Sequence, residues 1–142
     1  MTLRALETRL VHFTILGLAI FAPVETGVSM LWGGGVYGLL SPFYLVDFIG
    51  MVLMALGIVV SRRARPDCAP GVLCAAYGWM GANGWRATFG RVRELSAGGS
   101  LHYGAPELWV VGVLTMLSIL ALAVSVYLAM NTLPSARTRL SP

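Results

Sequence analysis

Four apolar runs constrain this chain more than any other feature: about residues 9–30, 41–61, 70–95 and 106–130. A helix rises about 1.5 Å per residue, so about 20 residues cross a hydrocarbon core of roughly 30 Å. Lipid offers no hydrogen-bond partners, so a spanning segment must satisfy its own backbone, as a helix does. The expected fold is all-α, a four-helix transmembrane bundle in which residues 1–142 form a single membrane domain, with a flexible polar tail at 131–142. Composition agrees with this. Charged residues make up 11% and hydrophobic residues 57%, where soluble domains carry about 25% charge.

The third run, Pro70 to Glu94, is the expected central helix. Gly71, Ala75, Gly78 and Ala82 recur at three- and four-residue steps and share one helix face. A face without bulk lets another backbone approach closely, which drives association in lipid. Gly78 is therefore expected at a close helix–helix contact. The same run carries Trp79, Asn83, Trp85 and Arg86. Polar groups at membrane depth are costly and usually point into the protein.

The flanking segments read as follows. In the first run Thr8 is the expected cap, and Pro23 removes a backbone donor and predicts a kink. Arg4, Arg9 and Ile20-Phe21-Ala22 are compatible with a signal peptide, but the run is read as a retained span. The uncharged LWGGGVYGLL at 31–40 reads as a turn at the bilayer surface. It lacks the Lys and the strand–helix context of a nucleotide-binding loop. Ser41-Pro42 is a helix-start signal. Asp47, Gly50, Met54, Gly57 and Ser61 then form a stripe expected to face the central helix. The third helix is expected to reach about Leu95 and break at Gly98. Pro106 opens the fourth helix, whose Thr115, Ser118, Leu122 and Ser125 form the expected packing face.

All ten basic residues are Arg, and the net charge is +4. They sit between apolar runs, where they set topology, so nucleic acid is not an expected partner. Seven of them (Arg4, Arg9, Arg62, Arg63, Arg65, Arg137 and Arg139) fall on one side of a four-span chain. Short positive segments stay cytoplasmic. The expected location is the inner membrane, with both termini cytoplasmic. Trp32, Tyr37, Tyr44, Tyr103 and Trp109 then form an outer aromatic belt.

This topology brings ionisable or polar groups of four helices to one leaflet: Glu25, Asp47, Asn83 with Arg86, and Glu107. One reading is a polar site in which Arg86 bridges Glu25 and Asp47, with Trp79 and Trp85 beside it. The other is interface chemistry, with Arg86 snorkelling to the headgroups and Glu107 complementing a helix N-terminus.

Other chemistry finds little support. Cys68 and Cys74 form no CxxC and read as two reduced structural thiols. His12 and His102 fall at opposite ends, so they cannot ligate one haem. Met51, Met54, Met80 and Met116 read as packing. No nucleophile–base set stands out, and nothing ionisable occupies the middle of a span. No metal, cofactor or catalytic residue is expected. The expected function is a non-enzymatic scaffold or accessory subunit, or a binder of a lipid-like or quinone-like ligand at the outer cluster. Its partners are membrane lipids and either another membrane protein or further copies of itself. A small oligomeric transporter or channel, or an enzyme acting on an amphiphile through Glu25, Asp47 and Arg86, are the alternatives. A pocket lined by those three residues favours a ligand. A closed ion-pair set, with small-residue stripes left facing lipid, favours a partner subunit.

Overall fold

The computed structural model describes residues 2–63, 68–101 and 105–137. Arg65, His102, Tyr103 and Arg139 lie outside the described residues, as do the side chains of Trp32 and Arg137. Among the described residues all regular structure is helical: α1 (Leu3–Trp32), a 3-10 helix (Gly35–Leu40), α2 (Pro42–Arg62), α3 (Ala69–Ser96) and α4 (Ala105–Arg137). Three of these helices, α1, α2 and α4, are long and apolar enough to cross a membrane. α3 has the length, but its Gly, Trp, Asn and Arg content keeps it out of that group.

Local chemistry explains most boundaries. The α1 cap is Thr2, whose hydroxyl accepts from the Ala5 amide at 3.3 Å. Thr8, the expected cap, lies a turn further in and donates to the Arg4 carbonyl. Pro23 sits inside α1, and the helix continues past it. At the other end Gly34 and Gly35 adopt φ of 72° and 84°, a left-handed turn that glycine makes without strain. The turn that follows winds into a 3-10 helix, which the three consecutive glycines did not lead one to expect. Its Gly38 lies against the Ser29 carbonyl and Gly33, backbone on backbone. Ser41 caps α2 by accepting from the Tyr44 amide at 3.1 Å, and Pro42 follows at the first helical position. α3 ends at Ser96, and Gly98 takes φ 79°.

α4 departs most from expectation. It continues to Arg137, into the first part of the segment 131–142 expected to be a flexible tail, of which 138–142 lie outside the described residues. Polarity alone does not stop a helix. Asn131 and Thr132 turn their side chains back onto the Tyr127 and Leu128 carbonyls and stay within the helical ladder.

Successive helices run antiparallel. Thr26 meets Tyr44 and Glu7 meets Ser61 between α1 and α2. Gly50 lies under Met80 and Gly57 under Leu73 between α2 and α3. Arg91 meets Glu107 and Gly84 meets Thr115 between α3 and α4. α3 packs on both α2 and α4, and α1 closes loosely on α4. The central position expected of the third helix is therefore observed. So are the packing faces of α2 (Gly50, Met54, Gly57) and α4 (Thr115, Ser125), which are buried. The core gathers Leu10, Val11, Met54, Leu73, Ala76, Tyr77, Ala121 and Leu128.

The face of α3 differs from the expectation. Leu73, Ala76, Tyr77 and Gly81 are buried, whereas Gly71, Ala75 and Ala82 are exposed and Gly78 is half-buried. A Cβ at Gly78 would meet only the tip of Leu122, at an ordinary 3.9 Å. The glycines that are tight between α2, α3 and α4 are Gly50, Gly57 and Gly84, where a Cβ would fall on Met80, Leu73 and Thr115. The reason is volume. Leu73 and Tyr77 have far more apolar surface to bury than the small face, and they rotate α3 so that they point inward.

Candidate functional site

Antiparallel succession places the end of α1, the start of α2, the end of α3 and the start of α4 together at one end of the bundle. Glu25 on α1 and Asp47 on α2 are half-buried there and lie within electrostatic range of each other. The Ser29 hydroxyl donates to a Glu25 carboxylate oxygen at 3.2 Å. Thr26, next to Glu25, and Tyr44, a turn before Asp47, share a 3.1 Å hydroxyl bond between the same two helices. α3 joins through Trp79, whose indole N–H donates to the Val46 carbonyl at 2.8 Å, next to Asp47 in the chain. Asn83 spends its amide on the Trp79 carbonyl, one turn back, at 2.9 Å.

The basic residue at this level does not join the acids. Arg86 is exposed, and among the described residues no ion pair links it to Glu25 or Asp47. The interhelical ion pair is instead Arg91 with Glu107, where Arg91 also donates to the Ala87 carbonyl. Arg86 and Arg91 are five residues apart, about 140° around a helix. With Leu73 and Tyr77 turned inward, Arg91 points at α4 and Arg86 points out. The residues singled out from the sequence thus fall into two groups. Trp79 ties α3 to α2, Asn83 bonds within α3, and Glu25 and Asp47 face each other between α1 and α2 as like charges. Glu107 ties α4 to α3.

Trp85 belongs to neither. It tilts against Phe89 with ring centroids 5.0 Å apart. It also borders an apolar groove of about 500 Å³ between α3 and α4, with Trp109, Val113 and Met116 on the other wall. Thr88 and Thr115 line it, but their hydroxyls already donate to the Gly84 and Val111 carbonyls. Neither this groove nor a smaller one between α1 and α4 is lined by Glu25, Asp47 or Arg86.

Sequence reasoning missed one buried polar pair. Thr14 and Tyr77, 1% and 2% exposed, share a 2.7 Å hydroxyl bond across the core. The Thr14 proton goes to the Leu10 carbonyl at 2.8 Å. A hydroxyl has one proton, so Tyr77 must be the donor in the cross-core bond. A tyrosine two turns inside an apolar run, with a threonine inside the first turns of another, was the available signal.

Comparison with protein-family models, with curated proteins and with solved structures gives no match. Fold and composition by themselves define the class: a helical membrane protein, with three helices able to cross by length and composition.

Proposed function

We propose that the chain is a four-helix protein of the inner membrane, both termini cytoplasmic, that serves as a non-enzymatic scaffold or accessory subunit. The observation that carries this reading is the outward direction of the small-residue face of α3. Gly71, Ala75 and Ala82 are exposed there, and nothing lies within 4 Å of a Cβ at Gly71. Such a face covers lipid poorly but admits another helix backbone closely. α3 is also the helix whose own composition falls short of a stand-alone span, so cover from a partner suits it. The pairing of Arg91 with Glu107 within the bundle supports the same side of the choice. Arg86 and Arg93 continue the small face toward the loop end, four and eleven positions beyond Ala82. Two copies placed parallel on this face would oppose Arg to Arg. A different subunit carrying an acid at that height is the better fit.

The test is native mass spectrometry of the gently extracted protein beside an Ala75→Leu/Ala82→Leu variant. Wild type is expected in a complex with another membrane protein. The variant, altered only at exposed positions, is expected as a folded monomer. A wild type that extracts only as a monomer with lipid sinks the reading. For topology, a reporter active only in the cytoplasm, fused to the C-terminus, is expected to give signal. Signal from a periplasm-only reporter instead reverses the orientation.

A second reading has one observation in its favour. The α3/α4 groove is apolar, has about 500 Å³ and ends between Trp85 and Trp109. That volume falls within the range of small-molecule sites, and the lining suits the chain of a lipid-like or quinone-like ligand.

A further inference from the structure

α1 and α4 meet along a loose seam, and that seam holds a groove of about 250 Å³. Leu6, Leu10 and Phe13 form one wall, and Leu117, Leu120 and Val124 the other. The lining is almost wholly hydrocarbon, with one exception. Arg9 borders the groove, is exposed, and has no ion-pair partner among the described residues.

The surroundings of Arg9 are positive. Glu7 accepts from the Ser61 hydroxyl at 3.4 Å, which places the start of α1 beside the end of α2. Arg4, Arg62 and Arg63 are exposed at the same end, and Glu7 is the acid among the described residues there. A hydrocarbon slot bordered by a guanidinium matches one kind of molecule. A free anion makes no use of Leu10, Phe13 and Leu120. A lipid without net charge makes little use of Arg9. An anionic phospholipid uses both, because the guanidinium fork suits phosphate oxygens and the slot suits an acyl chain. Basic pockets between transmembrane helices hold such headgroups by this combination.

We propose that the α1/α4 seam binds an anionic phospholipid, with its phosphate on Arg9 and an acyl chain between Phe13 and Leu120. The bound chain fills the seam that protein side chains leave open, so the lipid acts as a fifth packing element of the bundle.

The experiment is native mass spectrometry of the detergent-extracted full chain after incubation with dioleoyl phosphatidylglycerol or dioleoyl phosphatidylcholine. Phosphatidylglycerol is expected to be retained about fivefold more, the factor for one Arg at an anionic headgroup. Arg9→Gln is expected to abolish that preference. Arg62→Gln, at the same end but off the groove, is expected to keep it. Leu120→Trp, at an exposed position that the indole would fill, is expected to lower retention of both lipids. Inorganic phosphate is expected not to displace phosphatidylglycerol. Equal retention of the two lipids by wild type overturns the proposal, as does an unchanged preference in Arg9→Gln. An equal loss in Arg62→Gln shows attraction to the charged end at large and overturns the site. Displacement by inorganic phosphate shows a headgroup-only contact and overturns the role of the groove. Unaltered helical circular dichroism in each variant confirms that the comparison is between folded proteins.

Discussion

Gly84→Ile unfolds the detergent-solubilised protein well below the wild-type melting temperature, at an expected cost of about 3 kcal/mol. A Cβ at Gly84 falls on the Thr115 hydroxyl and lies 3.4 Å from the Thr115 Cα. Thr115 is 3% exposed and already bonded to the Val111 carbonyl. It is short, branched and stiff, so it cannot swing aside as Met80 can over Gly50. The insertion must push α3 and α4 apart along their contact. Gly78→Ile is the matched control, since a Cβ there meets only ordinary contact with Leu122 and the residue is half-buried. It is expected to change the melting temperature little. Gly84→Ala with Thr115→Ala is expected to be more stable than Gly84→Ala alone, because the smaller residue returns the space. Equal melting of Gly84→Ile and Gly78→Ile would show that α3 does not sit against α4 by this face.

The second large effect lies at the centre of the bundle. Tyr77→Ala is expected to cost about 3–5 kcal/mol, as for other large buried side chains cut to Ala. The hydroxyl bond gives a finer test. Thr14→Val removes the acceptor and strands the Tyr77 O–H, which has no other hydrogen-bond partner among the described residues. A cost of about 1–2 kcal/mol is expected. Tyr77→Phe removes the donor but leaves Thr14 bonded to the Leu10 carbonyl, so it should be milder. The double variant strands nothing and is expected to be more stable than Thr14→Val alone, a non-additive cycle. If the two changes add, with Thr14→Val the milder, the proton runs the other way or the bond is absent.

The local features of this chain could be read directly. Ser41-Pro42 and Gly98 mark real helix ends because capping depends on a few neighbouring residues. The stripes of α2 and α4 were legible for a related reason. Each of those helices has one row of small or polar residues on an otherwise branched, apolar surface, so the row that packs inward is unambiguous. The weaker boundaries were those where polarity was taken as a stop, at Thr8 and at Asn131. There side chains bond to the carbonyl four residues back and the helix simply continues.

α3 was legible as a helix and as the centre of the fold, but not in its rotation. Gly and Ala lie on most of its sides, so small residues alone do not say which side meets a neighbour. The Arg91–Glu107 pair and the outward Arg86 follow from that rotation, as does the Tyr77–Thr14 bond. The sequence by itself determined four helical segments, three of them apolar enough to cross a membrane, and most of their ends, because backbone hydrogen bonding and apolar length act within one segment. Only the tertiary structure decided which arginine met an acid and which face of α3 was left open. Those outcomes depend on how Leu73 and Tyr77 fill the space between α1, α2 and α4, and packing volume is a property of several helices together.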